Sequence, residues 1–350
     1  MYPALAVLQR LEGNLEAVLW VGGQGGMEED LVRRAGVPFR AVPAAGVHGV
    51  GARALPRNLW RLSQGYWAAR RVLADFRPQV LFFTGGYVAV PVGLAGRRIP
   101  TLLYVPDIEP GLALKTLARL ADRIAVTAEA SRAYFAPQAP VVVTGYPVRR
   151  ELLAWDRQRG RQALDLPLQA RVLLVFGGSK GARSINRALL AALPTLLNAG
   201  LYIVHLSGHL DWPEVQQARA QLAPAQAARY RAFPYLHEDM GAALAAADLV
   251  VARAGASTLG EFPLFGLPAI LVPYPHAWRY QQVNAQYLAQ HGAAEILPDE
   301  MLTTQLAPRV LDLFSAPQRL AAMAQAMKSL AQPQAAERIA AHLQALTRKE

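Results

Sequence analysis

The sequence predicts an α/β protein made of two Rossmann-like units with parallel sheets. Short apolar runs alternate along the chain with longer amphipathic stretches, the rhythm of strand–helix–strand crossovers. Small-residue turns follow several of those runs, at the strand ends where open α/β sheets bind ligands. The length, 350 residues, exceeds one ordinary core, and a content of 53% hydrophobic against 17% charged residues excludes a disordered chain.

In chain order, the first half offers apolar strand candidates at 17–21, 80–83, 101–105, 123–126 and 141–143. The second half offers 172–176, 202–206, 230–233, 249–252, 269–272 and 295–297. Between the two sets, Tyr146-Pro147 ends one pattern and a polar, Arg-rich segment leads to the next, so a linker is expected at 145–167. The expected units are 1–150 and 165–334, followed by a terminal helix within 335–350 whose role one sequence does not reveal. Two such units leave a cleft at the strand ends.

The net charge is +11, and nearly all of the basic residues are Arg, with Lys only at Lys115, Lys180, Lys328 and Lys349. Such a surface attracts phosphates, anionic lipids or nucleic acid, but no nucleic-acid motif accompanies it, and no nucleic-acid partner is expected. The absence of cysteine excludes disulfides, thiolate metal sites and a Cys nucleophile. No apolar run is long enough to span a bilayer, and no signal peptide is recognisable, so a cytoplasmic chain is the default.

Three constellations carry chemistry. The first, Val172-Leu-Leu-Val-Phe-Gly-Gly-Ser-Lys-Gly-Ala-Arg-Ser-Ile-Asn186, reads as a buried strand, a glycine turn and a helix start. Gly177, Gly178 and Gly181 permit close backbone approach, and Ser179 adds a hydroxyl where the free N–H groups of a helix start collect. Together they suit a phosphate; the alternative is a tight turn without a ligand. The second, Leu249 to Glu261, repeats the pattern, with N–H groups around Ala256, Ser257 and Thr258. Glu261 falls about one turn inside that helix, where a carboxylate can accept from two ribose hydroxyls or simply complement the helix dipole. In the third, Gln281 and Asn284 share a helix face, and carboxamides suit sugar hydroxyls.

At these residues the chain resembles the MurG transferases. The matching segments are Gly177 to Ala182 with Asn186, Arg253 to Thr258 with Glu261, and Gln281 to Ala285. In the first half they are Thr84-Gly-Gly-Tyr-Val88 and Gly145-Tyr-Pro-Val-Arg149. The resemblance, which runs from Tyr2 to at least Ala294, implies a GT-B fold and an inverting transfer of N-acetylglucosamine from its UDP derivative to lipid I in peptidoglycan synthesis. It implies Arg149 and Ser179 near the donor phosphates, helped by the N–H groups of Ala256, Ser257 and Thr258. Glu261 is then the ribose ligand, Gln281 and Asn284 hold the sugar, and the uracil pocket lies near 235–240, where this chain carries one extra residue. Gly85, Gly86 and Tyr87 belong to a loop that meets the acceptor pyrophosphate. Neither a metal nor a cofactor is implied.

Two departures stand out. Where the family has a His-Glu-Gln-Asn segment, this chain reads Tyr104-Val-Pro-Asp107, followed by Ile108-Glu109. Asp107 and Glu109 are candidates for the general base, or one of them caps the following helix, which is the favoured expectation. The second departure is at the start: a helix-like run begins at Tyr2, whereas the family places a strand and a His-ending glycine loop before it. The expectation is a true start upstream of Met1, the alternative a degenerate paralogue.

The segment 55–72 sets Trp60 and Trp67 among Arg57, Arg61, Arg70 and Arg71. That mixture suits the anionic cytoplasmic face of the cell membrane, reached peripherally, or a helix packed on its own sheet. His205 and His209 are four apart, but no carboxylate or third His at metal-ligand spacing accompanies them, and they are expected to be structural. Three readings remain: a MurG-type transferase, a related GT-B transferase with another lipid or glycan acceptor, and a non-catalytic UDP-sugar-binding relative. A sugar-nucleotide epimerase shares the architecture but needs acid and base groups around the sugar.

Overall fold

The structure, a computed structural model, describes residues 1–25, 28–44, 55–178, 181–236, 239–275 and 279–347. Two compact units emerge, Met1–Pro147 with Gln334–Glu350, and Val148–Pro333.

The first unit opens with α1 (Tyr2–Leu11), β1 (Trp20–Gly23), α2 (Glu28–Arg34), β2 (Phe39–Val42) and the long α3 (Leu55–Phe76). It continues with β3 (Leu81–Phe83), α4 (Ala89–Ala95), β4 (Thr101–Val105), α5 (Leu112–Leu117), β5 (Arg123–Val126) and β6 (Val141–Val143). All strand pairs are parallel, in a four-stranded sheet β3-β4-β5-β6 and a two-stranded sheet β1-β2. Strand β1 begins later than expected because its pairing starts where Trp20 N–H donates to Pro38 O at 2.8 Å. Strand β2 escaped the sequence reading, since Phe39-Arg-Ala-Val42 has an exposed middle and no apolar run. One face of the larger sheet shares a core with α3, α4 and α5 that includes Ala69, Phe83, Val92, Leu103 and Leu117.

The second unit contains α6 (Arg157–Ala163), β7 (Val172–Phe176), α7 (Arg183–Asn198), β8 (Tyr202–Leu206), α8 (Trp212–Ala220), α9 (Pro224–Ala227) and β9 (Tyr230–Phe233). After these come α10 (Met240–Ala246), β10 (Leu249–Ala252), α11 (Thr258–Phe265), β11 (Ala269–Leu271), α12 (Tyr280–Gln290) and β12 (Ala294–Ile296). Helices α13 (Leu302–Ser315) and α14 (Pro317–Ser329) complete it. Its six parallel strands run in the order β12-β11-β10-β7-β8-β9. The first strand of the unit, β7, therefore lies in the middle, with Phe176 in register with Leu206 on one side and Ala252 on the other. Chain order reverses between β7 and β10, and open sheets of this kind bind ligands at such a reversal.

The Arg-rich segment expected as a linker is packed structure. Helix α6 lies so close to α10 that a Cβ on Gly160 would sit 2.6 Å from Ala242 O. Arg161 is fully buried, its Nη2 donating to Asp248 Oδ2 at 2.9 Å and its Nε to Ala246 O at 3.1 Å. The division between the units, at Pro147/Val148, falls within the expected 145–167, and the rest of that segment packs into the second unit. The terminal helix α15 (Ala335–Thr347) returns to the first unit, where Ile339, Ala340 and Leu343 share a core with Val7 and Leu11 of α1 and with Leu102 and Tyr104 of β4.

Candidate active site

Two of the three sequence constellations emerge side by side in the second unit, from the carboxyl ends of the neighbouring strands β7 and β10. The glycine turn after β7 closes through Gly181 N–H, which donates to Gly178 O at 2.9 Å. At Gly181, φ is +78°, and a Cβ would lie 2.2 Å from Ser207 O, so both conformation and contact require glycine. Ser179, expected beside the phosphates, lies outside the described residues.

After β10 the chain turns through Ala254–Ser257 into α11. The N–H groups of Ala256 and Ser257 precede the first intrahelical bond, whereas Thr258 N–H donates to Gly255 O at 3.0 Å. Thr258 is buried, its hydroxyl also donating to Gly255 O at 2.7 Å, so it closes the turn while Ala256 and Ser257 line it. Glu261 stands in the first turn of α11 and is only 8% exposed. Burial pushes its carboxyl up to about 7, against the opposing pull of the Arg149 guanidinium and a hydrogen bond from Ser257. Arg149 thus joins the same neighbourhood from the start of the unit, although it is distant in sequence.

The third constellation buttresses the second. Gln281 Oε1 accepts from Tyr274 N–H at 2.9 Å. Asn284, expected to face sugar hydroxyls, is instead fully buried, and its Nδ2 donates to Ala254 O at 3.1 Å. A helical spacing of three predicts a shared face, not which face meets solvent. A cavity of about 480 Å³ opens beside it, lined by Tyr274, Pro275, Arg279, Gln282, Asp299 and Glu300 among others.

Arg253, quoted in the sequence only as part of a motif, forms a clamp. Its Nη2 donates to Ser184 Oγ at 2.7 Å, its Nη1 bonds Asp299, and its guanidinium lies 5.1 Å from the centre of the Tyr274 ring. Ser184 Oγ in turn donates to Asp299 Oδ1 at 2.8 Å, tying the start of α7 to the end of β10. An Arg at a strand end was the available signal; its partners lie far away in sequence. Of the expected uracil pocket, residues 237 and 238 lie outside the described residues, while the Tyr235 and His209 rings stand 6.3 Å apart.

The other named residues lie in the first unit. Gly85 and Gly86 follow β3 with φ of +121° and +88°, beside Tyr87, which is 59% exposed. The capping expectation for Asp107 or Glu109 does not hold: the N-cap of α5 is Gly111, with no side-chain cap bond. Glu109 is buried and accepts from Lys115 Nζ at 3.1 Å, because the chain reaches the helix two residues later than a cap needs. Tyr104 is fully buried, with its hydroxyl 2.9 Å from Thr127 Oγ1. On α3, Trp60 and Trp67 are 66% and 59% exposed, with Arg57, Arg61, Arg70 and Arg71 also exposed and Arg70 stacked 5.5 Å over the Trp67 ring.

Residues 172–339 match the glycosyltransferase family 28 C-terminal domain, and residues 1–126 its N-terminal domain. The chain belongs to glycosyltransferase family 28. Its GT-B fold is that of a solved family structure, MurG from Acinetobacter baumannii, at a TM-score of 0.77 and 28% identity, covering 98% of this chain and 95% of that one. A relative from Roseiflexus sp. (strain RS-1) is 42% identical over 94% of this chain and 84% of its own length. One from Desulforudis audaxviator (strain MP104C) is 40% identical over 97% and 93%. Both are named UDP-N-acetylglucosamine–N-acetylmuramyl-(pentapeptide) pyrophosphoryl-undecaprenol N-acetylglucosamine transferase.

Proposed function

We propose that this family 28 chain transfers N-acetylglucosamine from UDP-N-acetylglucosamine to N-acetylmuramyl-pentapeptide pyrophosphoryl-undecaprenol, with inversion. The observation that carries the reading is the pair of turns at the β7/β10 reversal, with Glu261 buried beside Arg149. The second unit, from residue 148, holds the donor. Backbone N–H groups of the glycine turn and of Ala256 and Ser257, together with Ser179 and Arg149, stabilise the charge that develops on the departing UDP. Fixed dipoles do this without rearranging as the glycosidic bond breaks. Glu261 accepts from the ribose hydroxyls. Gln281 meets the sugar, and Asn284 and Thr258 hold the turn from behind.

The first unit takes the acceptor, whose pyrophosphate meets the Gly85-Gly86-Tyr87 loop. Asp107 and Glu109, the latter buried and paired with Lys115, are the candidates to take the proton of the attacking hydroxyl. Incubation with UDP-N-acetylglucosamine and lipid I, with other lipid acceptors in parallel, tests the reading: lipid II is the expected product. Transfer to a different acceptor alone supports the second reading.

The exposed Trp60 and Trp67 and their arginines support a peripheral contact of α3 with the cytoplasmic face of the cell membrane. No described helix is long and apolar enough to cross a membrane. Replacing Arg57, Arg61, Arg70 and Arg71 by Gln is expected to reduce sedimentation with anionic vesicles and flatten its salt dependence. Unchanged sedimentation would return α3 to a purely structural role.

A further inference from the structure

A buried polar chain runs behind the glycine turn, and none of its members has a part in the transfer described above. His205 on β8 is fully buried, with Nε2 3.0 Å from Asn186 Oδ1 on α7 and Nδ1 2.7 Å from the Tyr230 hydroxyl on β9. Asn186 Oδ1 can only accept, so Nε2 carries the ring proton and Nδ1 accepts from Tyr230. Burial pushes His205 down to about 3, which keeps the ring neutral and this tautomer in place across the physiological range.

With its oxygen so engaged, Asn186 directs both Nδ2 hydrogens the other way, to Ser207 O and to Asp211 Oδ2, each at 2.8 Å. Asp211 is itself fixed by Arg183 Nε at 2.9 Å. Ser207 O is also the atom on which Gly181 rests, with room for no Cβ between them. The glycine turn thus leans on a carbonyl whose place is set by a side chain with every polar atom occupied. Asn186, 1% exposed, has no donor left for a ligand.

We infer that Asn186 is a positioning residue: through Ser207 it sets the backbone at Gly181, where the glycine turn meets the donor diphosphate, while His205 and Tyr230 hold Asn186 in its one orientation. On the donor reading proposed above, the effect falls on the diphosphate and not on the nucleoside, which Glu261 meets elsewhere.

The experiment compares UDP with uridine by calorimetry on the full chain. Binding of UDP and uridine by the parent tests the donor reading; the ratio of variant to parent tests the inference. Asn186→Ala should weaken UDP about tenfold or more, as for lost hydrogen bonds to a charged group, and leave uridine within about twofold. His205→Gln keeps a donor toward Asn186 and should retain UDP affinity, whereas His205→Leu should lose it selectively, as Asn186→Ala does. The His205 pair also serves if Asn186→Ala fails to fold. Equal weakening of UDP and uridine would make the network a general support of the unit and overturn the inference, as would UDP affinity unchanged in Asn186→Ala and His205→Leu. If the parent binds neither ligand, the donor reading falls and takes this inference with it.

Discussion

Replacing Glu261 by Gln is expected to weaken uridine and UDP binding by about 1–3 kcal/mol and, at pH 8, to make the protein more stable than its parent. The two effects have one cause. In the folded chain the Glu261 carboxyl titrates at about 7, above its ordinary value of 4.5, so the protonated form is the one folding favours. Stability is therefore lost as pH rises from about 4.5 to about 7, a deficit on the order of 3 kcal/mol that is complete above pH 7. A Gln has no charge to bury and escapes that deficit, so the two proteins should melt alike near pH 4 and differently at pH 8. Binding has the opposite dependence, because only the ionised carboxylate accepts from two hydroxyls. Uridine, which has no phosphate to titrate, should bind the parent less tightly as pH falls from 8 to 6, and bind the Gln variant equally at both. A flat uridine profile in the parent would remove Glu261 from the ribose.

Asp248→Ala is expected to cost about 3–5 kcal/mol of unfolding free energy, the range for breaking one side of a buried ion pair. Asp248 Oδ2 accepts from Arg161 Nη2 at 2.9 Å and from Val172 N–H at 2.8 Å, while Oδ1 accepts from Arg157 Nη1 at 2.5 Å. Its loss leaves a guanidinium in the interior beside an unsatisfied strand N–H. Arg161→Met should cost less, since the apolar stem is replaced and Asp248 keeps Arg157 and Val172. Urea unfolding of the two variants decides the point, and equal small losses would discount the pair. The same geometry sets the boundary of any donor fragment: residues 148–333 should fold and bind UDP, whereas a fragment starting at 165 lacks both Arg157 and Arg161, leaves Asp248 with Val172 N–H alone of these three partners, and should be less stable.

Much of the second unit was legible because its signals are local. Strands β7 and β10 are uninterrupted apolar runs followed directly by a glycine or small-residue turn, and β7, β8, β9 and β10 all fall at their expected residues. Strand β2 carries no such run, and β1 starts three residues into the apolar run 17–21, where its pairing with β2 begins. Glu261 was visible by its place one turn inside a helix start; that packing from elsewhere in the unit buries it, and shifts it toward neutrality against the pull of Arg149, was not.

What the sequence alone determined was therefore the α/β class, the parallel strands, and the turns with their glycines and small residues, since each follows from neighbours within a few positions. The roles of the polar side chains were decided only by tertiary structure. Asn186 and Asn284 have the composition of ligand contacts, yet both are buried and spend their amides on the backbone of turns some 20 to 30 positions away. Arg161 has the composition of a solvated linker, yet it pairs with Asp248 across 87 positions. A polar group's function depends on which partner reaches it first, and that is a property of distances between strands and helices that no local pattern contains.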